Sequence, residues 1–76
     1  MQTMESRIVS DPSIMLGKPV IKGTRITVEV ILKTLSEGAS FNDLIDMYPH
    51  ITREDINASL QYASALIANE EVLFVK

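Results

Sequence analysis

No cysteine occurs anywhere in the 76 residues, so neither disulfides nor thiolate metal sites can reinforce the small core of so short a chain. Helix packing or self-association has to supply that stability, and a homodimer is expected. Long apolar runs are missing too. None approaches the ~20 residues that a membrane span requires, and the start, Met1-Gln2-Thr3-Met4-Glu5, lacks a charged stretch followed by an apolar one. A cytoplasmic protein with no membrane contact is therefore expected. There is no internal repeat, no low-complexity tract and no linker rich in Pro, Gly or Ser, so residues 1–76 read as one domain. His50 is the single histidine. With no second histidine, no cysteine and no serine in a nucleophile-elbow setting, acid, base and nucleophile cannot be assembled, and neither an enzyme nor a metal or cofactor site is expected.

What is present is globular in composition: 46% hydrophobic and 22% charged residues, with a net charge of -3, unlike the low-hydrophobicity signature of disorder. The charge is unevenly spread. Residues 1–36 carry five cations against three anions, whereas residues 37–76 carry two against seven. A polyanion would prefer the first half, where Lys18, Lys22 and Arg25 fall close together among Gly17, Pro19 and Gly23.

Residues 1–26 read as an extended, turn-rich arm and not a sheet. Arg7-Ile8-Val9 is β-prone, Asp11-Pro12 opens a turn, and Pro19 keeps any strand through Val20-Ile21 short or at an edge. Residues 27–69 change to helical periodicity. Val28, Ile31, Leu32 and Leu35 share one face, Thr27 is the N-cap, Ile26 staples onto Ile31, and Gly38 supplies the left-handed stop. A second helix starts at Ser40 with Asp43 completing a capping box, buries Phe41, Leu44, Ile45 and Tyr48, and ends at Pro49. Capping accounts for Asp43 better than cation sharing with Asp46. The third helix is capped by Thr52 with Asp55 at N3, is stapled by Ile51 and Ile56, and is predicted to run to about Asn69. Its expected core stripe is Ile56, Leu60, Ala63 and Ile67. Residues 70–76 form a β-prone tail.

Three surfaces follow from this layout. Lys18, Lys22 and Arg25 are candidates for phosphate contact, although Gly17-Lys18 is no nucleotide P-loop, because no G-K-[ST] opens a helix. Arg53, Asn57 and Gln61 line one stripe of the third helix and are residue types that read base edges in a major groove. Glu54 and Asp55 sit at the same helix end, and an acidic chain lacks the cations that drive counterion release. Ala58, Tyr62 and Ala65 form an apolar strip which, with Val72, Leu73, Phe74 and Val75 of the tail, is the candidate partner interface. His50 reads as a turn residue.

The second and third helices, joined by Pro49-His50-Ile51, fit a helix-turn-helix. The run Gly17-Lys18-Pro19-Val20-Ile21-Lys22-Gly23-Thr24-Arg25-Ile26-Thr27-Val28-Glu29, with Asp11-Pro12 ahead of it, resembles the signature of the domain-of-unknown-function 433 family. Gly38-Ala39-Ser40 and Tyr48-Pro49-His50-Ile51-Thr52-Arg53-Glu54-Asp55-Ile56 are similar to the rest of its pattern, so the likeness spans about Ile8 to Leu66. Where members usually carry paired glycines, this chain has Leu16-Gly17. The resemblance implies a mainly α, homeodomain-like three-helix fold with a short N-terminal β arm, and kinship with VapB-type antitoxins, whose partners are PIN-domain nuclease toxins. The expected function is thus a non-catalytic antitoxin-like protein that binds a PIN-like toxin; the alternative is a dimeric DNA-binding transcriptional regulator.

Overall fold

The computed structural model describes the backbone of residues 7–74 and the side chains of residues 7–69. The elements are β1 (Ile8–Val9), a 3-10 turn (Met15–Gly17), β2 (Val20–Ile21), α1 (Val28–Ser36), α2 (Phe41–Met47) and α3 (Arg53–Phe74). The fold is mainly α, three helices preceded by a β arm. In that arm the two extended segments pair, antiparallel, with Ile8 opposite Ile21 and Val9 opposite Val20. The short β arm is thus present, with its two segments joined as a small sheet. The pairing is only two residues long and ends at Val20, next to Pro19. Its carbonyl accepts from Val28 N at 2.9 Å, which ties the arm to the start of α1.

The local helix signals are realised. Thr27 accepts from Val30 N at 3.0 Å. Ser40 and Asp43 bond reciprocally at 3.0 and 2.9 Å, as do Thr52 and Asp55 at 3.0 and 3.2 Å, so α2 and α3 each begin with a complete capping box. Gly38, at φ +104, terminates α1 where a side chain would be strained. α1 packs against α2 and α3, and α3 also touches α2 and β1. Ile31, Leu44 and Ile56 are fully enclosed at the centre, flanked by Ile8, Ile21, Val28 and Ile51.

Helix α3 departs from its sequence-based description in two ways. Its core face is Ile56, Ser59 and Ala58, with Tyr62 packed alongside, while Leu60 is 38% exposed and Ile67 62%. Ser59 can occupy the interior because its hydroxyl donates to the Asp55 carbonyl at 3.0 Å, leaving no unpaired polar group. The helix also continues to Phe74. Nothing after Asn69 stops it, neither Gly nor Pro following before the end of the sequence, so Val72, Leu73 and Phe74 are helical backbone and not an extended tail. Val75 and Lys76 lie outside the described residues.

The 3-10 turn is strained. Met15 and Leu16 take φ of +50 and +60, and Leu16 is 92% exposed. Each left-handed L-residue costs roughly 1–2 kcal/mol, and Leu16 recovers little of it by burial. Leu16→Gly is therefore expected to raise stability by about 1 kcal/mol, read as a Tm rise of roughly 4–8 °C; a fall in Tm would show that the leucine makes stabilising contacts in solution.

Candidate functional site

Asp55 holds the site's framework together. Its Oδ2 accepts from Thr52 N at 3.0 Å and its Oδ1 from Arg7 Nη1 at 2.9 Å, with the Asp55 side chain 10% exposed. One carboxylate thus completes the N-terminus of α3 and clamps the start of the arm to it. At the arm's other end, Ser13 N and Oγ donate to Asp11 Oδ1 at 2.9 and 2.8 Å. These bonds, the backbone one foremost, hold the Asp11 carboxyl below its ordinary value.

The three arm cations separate. Lys18 is paired with Glu29 at 2.9 Å, so it is a bridge from arm to α1 and not a free contact. Lys22 and Arg25 are exposed and form no ion pair among the described residues. They share a surface cavity of about 540 Å³ with Gly23, Thr24, Ile26 and His50. His50 reaches this place because the turn between α2 and α3 lies against the turn after β2. Its proximity to Lys22 and Arg25 has no signal in sequence spacing. A second cavity of about 430 Å³ shares Gly23, Thr24 and Arg25 and is lined also by Val9, Ile14 and Val20.

On α3, Arg53, Asn57 and Gln61 do share an exposed stripe. The Arg53 guanidinium lies 5.4 Å from the centre of the Phe41 ring and reaches Asn42 Oδ1 at a long 3.5 Å, so it already covers part of α2. Glu54 is exposed on the same turn. The candidate interface is redistributed by the helix's rotation. Ala58 is 4% exposed and belongs to the core, Tyr62 packs half-buried against that core, and Ala65 stays exposed.

Beyond Ala63 the helix leaves the body of the protein, and residues 64–69 are all exposed. Successive helical residues advance 100°, so Leu66 lies between Tyr62 and Ser59 in projection and continues the core-facing side with nothing of the described chain over it. Leu66 is 49% and Ile67 62% exposed. A short helical segment gains little stability from propensity alone. Residues 64–69 thus carry an apolar face with no partner among the described residues. Among the described residues, no group of three His, Cys, Asp or Glu side chains is placed to share a metal ion, and no helix is long and apolar enough to cross a membrane.

Comparison with known proteins places this geometry. A family model described as a protein of unknown function (DUF433) matches residues 8–63. A crystal structure of a DUF433 member protein from Anabaena variabilis ATCC 29413 superposes with a TM-score of 0.79 at 25% identity, covering 99% of this chain and 74% of that one. The crystal structure of Rv2018 from Mycobacterium tuberculosis gives 0.66 at 30% identity, covering 78% of this chain and 27% of that one. The uncharacterized protein y4eO of Sinorhizobium fredii (strain NBRC 101917 / NGR234) is 31% identical over 58 residues, 76% of this chain. This chain spans about a quarter of that curated relative's length, 26%.

Proposed function

We propose, starting from the fact that this chain belongs to the DUF433 family, that it is a non-catalytic, antitoxin-like interaction protein whose outer α3 half docks onto a PIN-like nuclease. The observation that carries the reading is the continuation of the core-facing side of α3 beyond Ala63, where Leu66 and Ile67 stand 49% and 62% exposed. An apolar helix face laid into a groove is an established mode of partner recognition. In the sequence, Leu73 follows Leu66 by seven residues and Phe74 follows Ile67 by seven, so the apolar spacing of the sequence continues there. The acidic second half of the chain favours a partner with a basic surface, which would speed association. Two of the similar proteins are much longer than this chain, which agrees with a module that works by attachment.

The test is coexpression with a PIN-type nuclease, comparing the natural chain with the double variant Leu66→Asp/Ile67→Asp. Both positions are exposed, so folding stability is expected to change by no more than about 1 kcal/mol for the two together. Co-purification and relief of nuclease toxicity are expected to be lost, the apolar anchors of an interface being worth about 2 kcal/mol or more each. Retention of the complex by a folded double variant overturns the reading. If the nuclease is never captured and the chain alone instead forms dimers that the double variant abolishes, the face belongs to a second copy.

A further inference from the structure

We infer that the cavity between the turn after β2 and the turn between α2 and α3 is a phosphate-binding site, formed by Lys22, Gly23, Arg25 and His50. The inference is independent of the partner reading, since none of these residues lies on α3. The structure brings together three side chains that can donate hydrogen bonds to an anion, from two turns 25 or more residues apart in sequence, around one cavity of about 540 Å³. Their electrostatic state suits an external anion. Lys18 and Lys33, by contrast, are engaged by Glu29 and Glu37 at 2.9 and 2.8 Å, while Lys22 and Arg25 have no carboxylate partner among the described residues.

The turn that carries the two cations is fixed in advance. Thr24 N and Oγ1 both donate to the Ile21 carbonyl, at 3.0 and 2.8 Å, and Oγ1 accepts from Ile26 N at 3.0 Å. Lys22 N donates to the Arg7 carbonyl at 2.8 Å, which leaves the lysine side chain as its only free donor. Among the described residues, the Gly23 and Arg25 amides donate to no other group. Gly23 has φ +82 and open space where a Cβ would stand, so an anion can approach the backbone there. The Gly23 and Arg25 amides, on either side of the Thr24 amide that closes the turn, remain as backbone donors for an anion, and a guanidinium on the same turn as an ammonium suits phosphate oxygens. A carboxylate ligand would use the same donors less fully, because it presents two oxygens where a phosphate presents three or more. The phosphate can come from a nucleic-acid backbone or from a free phosphate compound, and the experiment separates the two.

Inorganic pyrophosphate and a mixed-sequence 20-base-pair duplex are titrated separately into the full chain at low salt, followed by two-dimensional amide NMR. Saturable shifts are expected at Gly23, Thr24, Arg25 and His50. Lys22→Gln/Arg25→Gln is expected to weaken binding at least tenfold, His50→Gln to weaken it less, and Lys18→Gln to change it by less than twofold. All four positions are exposed apart from their backbones, and unchanged thermal unfolding confirms that the variants fold. If the duplex binds more tightly than pyrophosphate, and the double variant lowers the slope of log affinity against log salt by about 2, the phosphate is that of nucleic acid. If pyrophosphate binds and the duplex does not, it is a free phosphate compound. Absence of saturable shifts, shifts centred on Arg53, Asn57 and Gln61, or equal losses from Lys18→Gln and the double variant would each overturn the site.

Discussion

Ile31→Ala is expected to remove a large part of the chain's stability, about 2–5 kcal/mol. Ile31 is 0% exposed and lies on the face of α1 that meets both other helices. Removing three methyl or methylene groups from such a position costs about 2–5 kcal/mol, the transfer of the lost atoms plus the cavity that remains. A domain of this size has only about 4–11 kcal/mol to lose, and with no cysteine in the sequence no disulfide limits the unfolded ensemble. Ile31→Val, which keeps the branch at Cβ, is expected to cost about 0.5–1.5 kcal/mol and to remain folded. Urea unfolding of the two variants decides the matter. Equal midpoints would mean that the centre of the core is loosely filled.

The second large effect is at Asp55. Asp55→Ala removes the acceptor for Thr52 N and the partner of Arg7 together, and the expected loss is about 2–3 kcal/mol. Roughly 1 kcal/mol of that is the capping bond and the remainder the charge-assisted bond from Arg7. Arg7→Ala should cost about 1 kcal/mol or less, because the Arg7 side chain is 34% exposed and water takes over part of its solvation. Asp55→Asn keeps an oxygen for Thr52 N and loses the ion pair, so it is expected to fall between the two. A double-mutant cycle between positions 7 and 55 should return a coupling of about 0.5–1.5 kcal/mol. A coupling of zero would show that the Arg7–Asp55 pair does not hold the arm, leaving that to the burial of Ile8 and Ile21 and the bond from Val28 N to the Pro19 carbonyl.

Asp55 also marks the boundary of what could be read from the chain. Its capping role was legible, since Thr52 and Asp55 are three residues apart and the motif is local; the same holds for Thr27 and for Ser40 with Asp43. Its bond to Arg7 joins residues 48 apart, and no periodicity carries that information. The clamp also bears on the rotation of α3. Hydrophobicity alone selects Leu60 for the core, yet Ser59 occupies it at 0% exposure, because a hydroxyl bonded to its own helix costs little to bury. The strip of Ala58 and Tyr62 consequently turns inward, and the exposed apolar residues are Leu60, Leu66 and Ile67. The candidate phosphate site was half legible. Lys22 and Arg25 were evident as cations in a turn, whereas the pairing of Lys18 with Glu29 and the approach of His50 depend on tertiary packing. The family resemblance read from the run Gly17 to Glu29 agrees with the match over residues 8–63.

Helix α3 divides into an inner half that builds the fold and an outer half that, in the proposed function, is surface for a partner. Amide hydrogen exchange along this helix, measured on the dilute free chain, tests that division most directly. Protection close to the global unfolding free energy is predicted from Ile56 to Tyr62, with a steep fall across residues 64–69. Uniformly high protection through Asn69 in the dilute chain would contradict it, since the chain itself would then be stabilising the helix that the account leaves for docking.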